Sequence, residues 1–195
     1  MSVLNRLGRN KKKEVYAFID SQNLNLGVQK VGWKMDWRVF RAYLKDEFNV
    51  TKAFMFIGYM AENEPLYERM HELGYLIALK PTVDVSTPSD GKQSEGEDHK
   101  PVVKGNIDAD LVLYAMKELP HYSKAIIVSG DGDFASLIEY LVEKNKLAHI
   151  MAPNWQYSSL LKPWEKYIIR IDQLRSKLAY KDYSRSKHSK KTKRQ

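Results

Sequence analysis

The feature that most constrains this chain is a series of short, unbroken apolar runs, two of which end at aspartates. VYAFI (15–19), AFMFIGYM (53–60), YLIAL (75–79), AIIV (125–128) and LAHIM (147–151) have strand length and lack the alternation of a half-solvated strand. YIIRI (167–171) is a weaker sixth. Runs of this kind suit strands buried on both faces. Between them lie helical patterns. Asp36 is placed to cap a helix carrying Trp37, Phe40, Arg41 and Leu44 on one face. Asn63 is placed to cap another, with Pro65 in its first turn, Leu66, Met70 and Leu73 on its face, and Gly74 as its stop. A third helix runs from about Asp108 through Leu111, Val112 and Ala115 to near Pro120, and a fourth carries Phe134, Leu137, Ile138 and Leu141. Buried strands alternating with amphipathic helices predict an α/β fold, a three-layer α/β/α sandwich around a mainly parallel sheet of Rossmann-like class.

This alternation fills one domain, residues 15–174. Within it, 81–106 is a polar stretch rich in Pro, Gly and Ser, too long for an ordinary connection. Charge is divided unevenly along the chain. Arg6, Arg9, Lys11, Lys12 and Lys13 against Glu14 give residues 1–14 a charge of +4, and nine Lys/Arg against Asp182 give 175–195 a charge of +8. The whole chain carries +8, so the middle carries −4. A mildly acidic globule is therefore expected between two basic arms, 1–14 and 175–195. Such arms are a footprint for phosphate polymers or anionic surfaces, and they also keep a chain soluble. There is no cysteine, which excludes disulfide frameworks, thiolate metal sites and a Cys nucleophile and makes a cytoplasmic location the expectation. No apolar run approaches the roughly 18–20 residues that span a bilayer, and the N-terminal residues lack a signal-peptide core.

In open parallel sheets, ligands bind outside the carboxyl ends of the strands. VYAFI runs into Asp20, and AIIV into Ser129-Gly130-Asp131-Gly132-Asp133. A further pair, Asp108 and Asp110, opens the third helix. Asp108 heads the stripe of Leu111, Val112 and Ala115; Asp110 lies about 200° around the helix, which ranks it second. Two such charges about 5 Å apart repel by roughly 3 kcal/mol at an effective dielectric near 20. A gathered set must take up protons or hold a cation. The ligands are hard oxygens, and His71, His99, His121, His149 and His188 form no metal-binding pair by spacing. That favours one or two Mg²⁺ or Mn²⁺ ions over zinc. Asn23, Ser129 and Lys104 are placed to orient an acid or to meet a phosphate. Each aspartate could instead serve as a turn or helix cap, Asp133 and Asp108 above all.

The ordered segments FIDSQNL (18–24), KGNIDADLVLYAM (104–116) and VSGDGDFASLIEYL (128–141) resemble the NYN domain, in its LabA-like (DUF88) branch within the PIN-like nuclease superfamily. The resemblance covers about 15–174. It implies a PIN-like fold and a metal-dependent ribonuclease site, with Asp20, Asp108, Asp131 and Asp133 as catalytic, metal-holding acids. Asn23 matches the polar position after the first acid, and Asp110 a less constant acidic one. Nothing is implied for the 81–106 loop or the C-terminal tail.

The expected activity is hydrolysis of RNA, single-stranded for preference, with the basic arms on phosphates and no membrane partner. Tyr180 and Tyr183, set among basic residues, are candidates for stacking on bases. A homodimer is compatible with the sequence. Two alternatives stand beside the nuclease. One is a non-catalytic RNA-binding or regulatory module of the same fold. The other is a phosphatase of the haloacid-dehalogenase type, which requires a second acid two residues after Asp20, where this chain has Gln22.

Overall fold

A computed structural model describes residues 14–59, 63–81 and 107–181. Lys104, Tyr183, the 81–106 loop beyond Pro81, and the outer parts of both basic arms lie outside the described residues. The elements run β1 (Val15–Asp20), α1 (Ser21–Lys30), α2 (Trp37–Phe48), β2 (Val50–Tyr59), α3 (Glu64–Glu72), β3 (Leu76–Pro81), α4 (Ile107–Lys117), β4 (Lys124–Val128), α5 (Ala135–Glu143), β5 (Leu147–Ala152), β6 (Ile168–Arg170) and α6 (Arg175–Leu178). The strands form one sheet in the order β3-β2-β1-β4-β5-β6, and every neighbouring pair is parallel.

The strand order reverses beside β1. The chain steps outward from β1 to β2 and β3, returns to β4 on the other flank of β1, and steps outward again. Right-handed crossovers in opposite directions must lie on opposite faces of the sheet. The packing shows it. Leu24, Val28, Phe40 and Leu44 of α1 and α2 share one core with Ala17, Ile19, Ile126 and Val128. Leu111, Ala115, Leu137, Ile138 and Leu141 of α4 and α5 share a second core with Tyr16, Phe18, Ala125 and Ile127. Alternate residues of β1 and β4 thus enter alternate cores, so every position in those runs is apolar. Among the described residues, no helix is long and apolar enough to cross a membrane.

Several local expectations are corrected. Asp36 does cap α2, accepting from the N–H groups of Arg38 and Val39, and Gly74 ends α3 with a left-handed φ of +85°. Asn63 makes no side-chain capping bond. The buried face of α3 is Tyr67 and Met70, while Leu66 is 44% exposed. Helix α1 has no counterpart in the sequence reading because only Leu24 and Val28 mark its apolar face among mostly polar neighbours. The basic run that starts at Arg175 begins inside the fold rather than in a tail. Leu178 is fully buried, its carbonyl accepts from Asp36 N–H, and Tyr180 N–H donates to Lys34 C=O. Charge counting registers Arg175 and Lys177 there and passes over the leucine between the cationic residues.

Gly27 offers a test of this packing. Inside a helix, Gly→Ala normally stabilises by about 1 kcal/mol. Here a Cβ would come within 2.9 Å of Pro153 Cγ and closer still to Pro153 Cβ. Overpacking of that kind costs about 1–3 kcal/mol. Gly27→Ala is therefore expected to bring no gain and to lower stability by up to about 2 kcal/mol net in urea denaturation. A gain in stability would show that the loop after β5 yields without resistance.

Candidate active site

Where the strand order reverses, neighbouring crossovers leave for opposite faces and open a crevice at the strand ends. Asp20 and Ser129 stand there. Ile19 is opposite Val128 in the parallel register, so the next residues on each strand are side by side. The pleat sets their direction. Asp20 follows Tyr16 and Phe18, and Ser129 follows Ala125 and Ile127, toward the face covered by α4 and α5. The other acids are on that face. Asp108 is in the first turn of α4, and Asp131 and Asp133 belong to the turn leading into α5.

A chain of hydrogen bonds ties the two strand ends together. The Ser129 hydroxyl donates to Asp20 Oδ2 at 3.1 Å, and Asn23 N–H donates to Asp20 Oδ1 at 3.0 Å. Asn23 Oδ1 in turn accepts from Gly130 N–H at 2.9 Å. Asp131 N–H donates to Ser129 Oγ at 3.1 Å, and Asp133 N–H to Asp131 Oδ1 at 3.0 Å. Asp20 is 5% exposed and Ser129 2%. Asp108, Asp110 and Asp131 are partly buried, and Asp133 is exposed.

Electrostatics links these acids across the sequence. Burial pushes the Asp20 carboxyl above its ordinary range. Its bonds from Asn23 and Ser129 pull it back, and the charges of Asp108 and Asp131 push it up further. Asp108 is raised as well, first by burial and then by Asp131 and Asp133. The acids therefore share one field. They do not form a closed cage: among the described residues, no three His, Asp or Glu side chains gather as a group able to hold an ion.

Capping and convergence turn out to be compatible. Asp20 caps α1, and Asp131 caps the 3₁₀ turn Gly132–Phe134. Asp133, the residue placed by sequence to cap the following helix, does not do so. The 3₁₀ turn intervenes, and α5 starts after Phe134 without a side-chain cap. A carboxylate that accepts one or two N–H or O–H bonds retains lone pairs for other partners.

Reading the acids alone misses the loop after β5, which buttresses the site. Asn154 is 5% exposed. Its Nδ2 donates to Gly27 C=O at 2.8 Å, and its Oδ1 accepts from Gln156 N–H at 2.7 Å. Ser158 N–H donates to Gly130 C=O at 2.9 Å. A Cβ on Gly132 would lie 2.9 Å from Leu160 Cδ1 and closer to Ser158 Oγ, so a larger residue between the acids would displace the Ser158 and Leu160 side chains. The available signal was Asn154, a polar residue just past the carboxyl end of another buried strand.

The pH dependence of stability follows from these shifts. Between the ordinary carboxylate value of 3.8 and its raised one, Asp20 binds its proton more tightly in the folded chain than in the unfolded one. Its contribution is full below the ordinary value and is lost as pH rises through the raised value. In Asp20→Asn the cap survives, since Asn caps as well as Asp. The new amide donates to Ser129 Oγ while its oxygen still accepts from Asn23. Asp20→Asn is expected to be as stable as wild type or more so at neutral pH, with a shallower loss of stability above about pH 4. A marked drop in its urea midpoint at neutral pH would show that the ionised carboxylate holds the fold together.

The chain matches the NYN domain family over residues 14–172. It is 23% identical over 163 residues to the low amplitude and bright protein LabA of Synechococcus elongatus, a match covering 82% of this chain and 84% of that one. In fold it is similar to a crystal structure of a Vibrio parahaemolyticus protein of unknown function, with a TM-score of 0.66 and 20% identity, covering 89% of this chain and all of the other. The segments that carry the earlier resemblance, FIDSQNL and VSGDGDF, are the ones joined by the Asp20–Ser129 and Asn23–Gly130 hydrogen bonds. The chain belongs to the NYN domain family.

Proposed function

We propose that this NYN domain is a metal-dependent ribonuclease that hydrolyses phosphodiester bonds of single-stranded RNA at Asp20, Asp108, Asp131 and Asp133. The observation that carries the reading is the buried Asp20 at the reversal of strand order, its carboxyl raised first by that burial and further by the charges of Asp108 and Asp131. Burying a carboxylate within the field of two others works against folding and suits a site that meets a cation. Hard carboxylate oxygens fit Mg²⁺ or Mn²⁺. Mg²⁺ is commonly held by one or two carboxylates, with water and substrate phosphate completing its shell, which fits an open site better than a cage does. Asp20 with Asp108 or Asp131 would hold one ion, and Asp133 stands at the rim for a second. When bound, the ion offsets carboxylate repulsion, polarises the phosphate and eases ionisation of the attacking water.

The remaining residues have positioning roles. Ser129, buried beneath Asp20, fixes the direction of that carboxylate. Asn23 holds the β4 loop through its carbonyl, which leaves its NH₂ group to meet a phosphate oxygen. Lys104 and the basic arms would meet phosphates farther out. With the full chain and labelled single-stranded RNA, cleavage is expected with Mn²⁺ or Mg²⁺ and none with a chelator. Asp20→Asn and Asp131→Asn are each expected to lower the rate at least about a hundredfold. Absence of cleavage by the wild-type chain with every divalent ion tried, across diverse RNAs, would remove the enzyme reading.

One observation favours a second reading, a domain that binds RNA without cutting it. Both Asp20 oxygens are already engaged by Asn23 and Ser129, and no three acids gather among the described residues. RNA binding with no turnover under any metal would select that reading. Either way, the arms can be tested separately. Truncation after Lys181 leaves Leu178 in the core and removes six Lys/Arg. It is expected to make the fall of RNA affinity with salt shallower. An unchanged slope would assign the phosphate contacts elsewhere.

A further inference from the structure

A second pocket lies away from the acids. It is a cavity of about 300 Å³ between the C-terminal end of α1 and the loop after β5, lined in part by Lys30, Trp33, Trp155, Gln156, Asp172 and Arg175. That is the lower end of the size range of small-molecule sites. We propose that it binds a nucleotide, with the base on Trp155 and the phosphate between Lys30 and Arg175.

The chemistry of the lining selects this class of ligand. Trp155 is 54% exposed, a large indole presented to solvent. Its loop is held on both sides, by Asn154 Nδ2 on Gly27 C=O and by Ser158 N–H on Gly130 C=O. The Arg170 guanidinium lies 5.8 Å from the Trp155 ring centroid. Asp172 fixes that guanidinium through a fork of bonds at 3.1 and 2.6 Å. A rigid indole backed by a cation is a stacking platform for a base. Because Arg170 neutralises Asp172, Lys30 and Arg175 leave the pocket with a surplus of positive charge. Arg175 uses one N–H on Gly32 C=O at 3.2 Å, and the rest of its fork is available to an anion. Trp33 lines the same cavity and is 8% exposed, and its buried indole N–H finds no acceptor among the described residues. Gln156 offers both a donor and an acceptor to a base edge. Together these groups suit a flat ring with hydrogen-bonding edges and an attached anion.

Position connects the pocket to the acids. Helix α1 runs from Asp20 to Lys30, about 15 Å at 1.5 Å per residue. The loop of Trp155 touches Gly130 at one end and lines the pocket. A strand lying across the acids would reach Trp155 with a nucleotide a few positions from the scissile bond. This last step rests on the ribonuclease reading, whereas nucleotide binding in the pocket does not.

The test uses the full chain carrying Asp20→Asn, which separates binding from cleavage. Fluorescence anisotropy with a short labelled oligoadenylate, and competition by adenosine monophosphate, report on the pocket. Trp155→Ala and Lys30→Glu are each expected to weaken oligomer binding about tenfold, with unchanged circular dichroism and melting temperature; Trp155→Tyr is expected to restore most of the affinity. In the chain with Asp20 intact, Trp155→Ala is expected to raise KM for RNA and leave kcat within about twofold. Adenosine monophosphate binding as tightly as the oligomer would assign the pocket to a free nucleotide, and much weaker binding would assign it to a strand; both outcomes support the site. Oligomer and monophosphate binding that are both indifferent to Trp155→Ala would overturn it, even if the chain cleaves RNA. Trp155-dependent binding with no cleavage by wild type would leave the pocket standing and remove the ribonuclease reading.

Discussion

The hydrogen bond from Ser129 to Asp20 joins strands whose residues are 109 positions apart. It exists because β1 and β4 are neighbours at the one place where the sheet changes direction. Handedness of crossovers forces the flanking helices apart there, and the pleat turns Asp20 and Ser129 to the same side. A one-residue slip of β4 against β1 would direct Ser129 to the core of α1 and α2 and leave Asp20 without its partner. The apolar residues Ala125 to Val128, buried alternately in two cores, hold that register. Packing that has no chemistry of its own thus decides where the chemistry is placed.

The site is a local compromise between folding and charge. Asp20 caps a helix, accepts two hydrogen bonds and is still pushed toward protonation by its surroundings. Each bond supports the ionised form, yet burial and the neighbouring acids outweigh them in direction. Functional sites commonly retain such unfavourable arrangements, supported by the structure around them. Here the support is close at hand. Gly132 leaves room for Ser158, Asn154 fastens its loop to α1, and Asn23 clasps the β4 turn. These contacts keep the aspartates on strand and helix ends rather than on unsupported loops, the placement that precise sites need.

What could be read from the sequence followed from which forces are local. The five strong strand runs were visible because burial on both faces removes polar residues from consecutive positions. Asp20 and Asp131 were visible because a charge ending such a run is hard to place anywhere but a sheet edge. Helix α1 was not, since two buried residues four apart leave a weak periodic signal among SQNLNLGVQK. The role of Leu178 was hidden by the cations around it, and Leu66 was assigned one position away from the true face of α3. The proximity of Trp33 and Trp155 depends on tertiary structure, because no pattern in one segment refers to a residue more than a hundred positions away. Asn154 is intermediate: its position at a strand end was readable, and its bond to Gly27 was not.

The division of charge also gains a physical meaning. A crevice holding Asp20, Asp108, Asp131 and Asp133 is, before any cation arrives, the least attractive part of the surface for a polyanion. Under the proposed ribonuclease reading, attraction for RNA would therefore come from elsewhere on the surface, close enough to deliver the strand and far enough not to neutralise the acids. Were Lys30 and Arg175 beside Asp20, they would pair with the carboxylates and compete with a metal. Lys30, about 15 Å from Asp20 along α1, lies beyond a Debye length of roughly 8 Å at physiological salt, so it would meet a phosphate while leaving the acids to a cation. Under that reading, affinity and catalysis would be open to separate tuning, which follows from screening and the length of one helix.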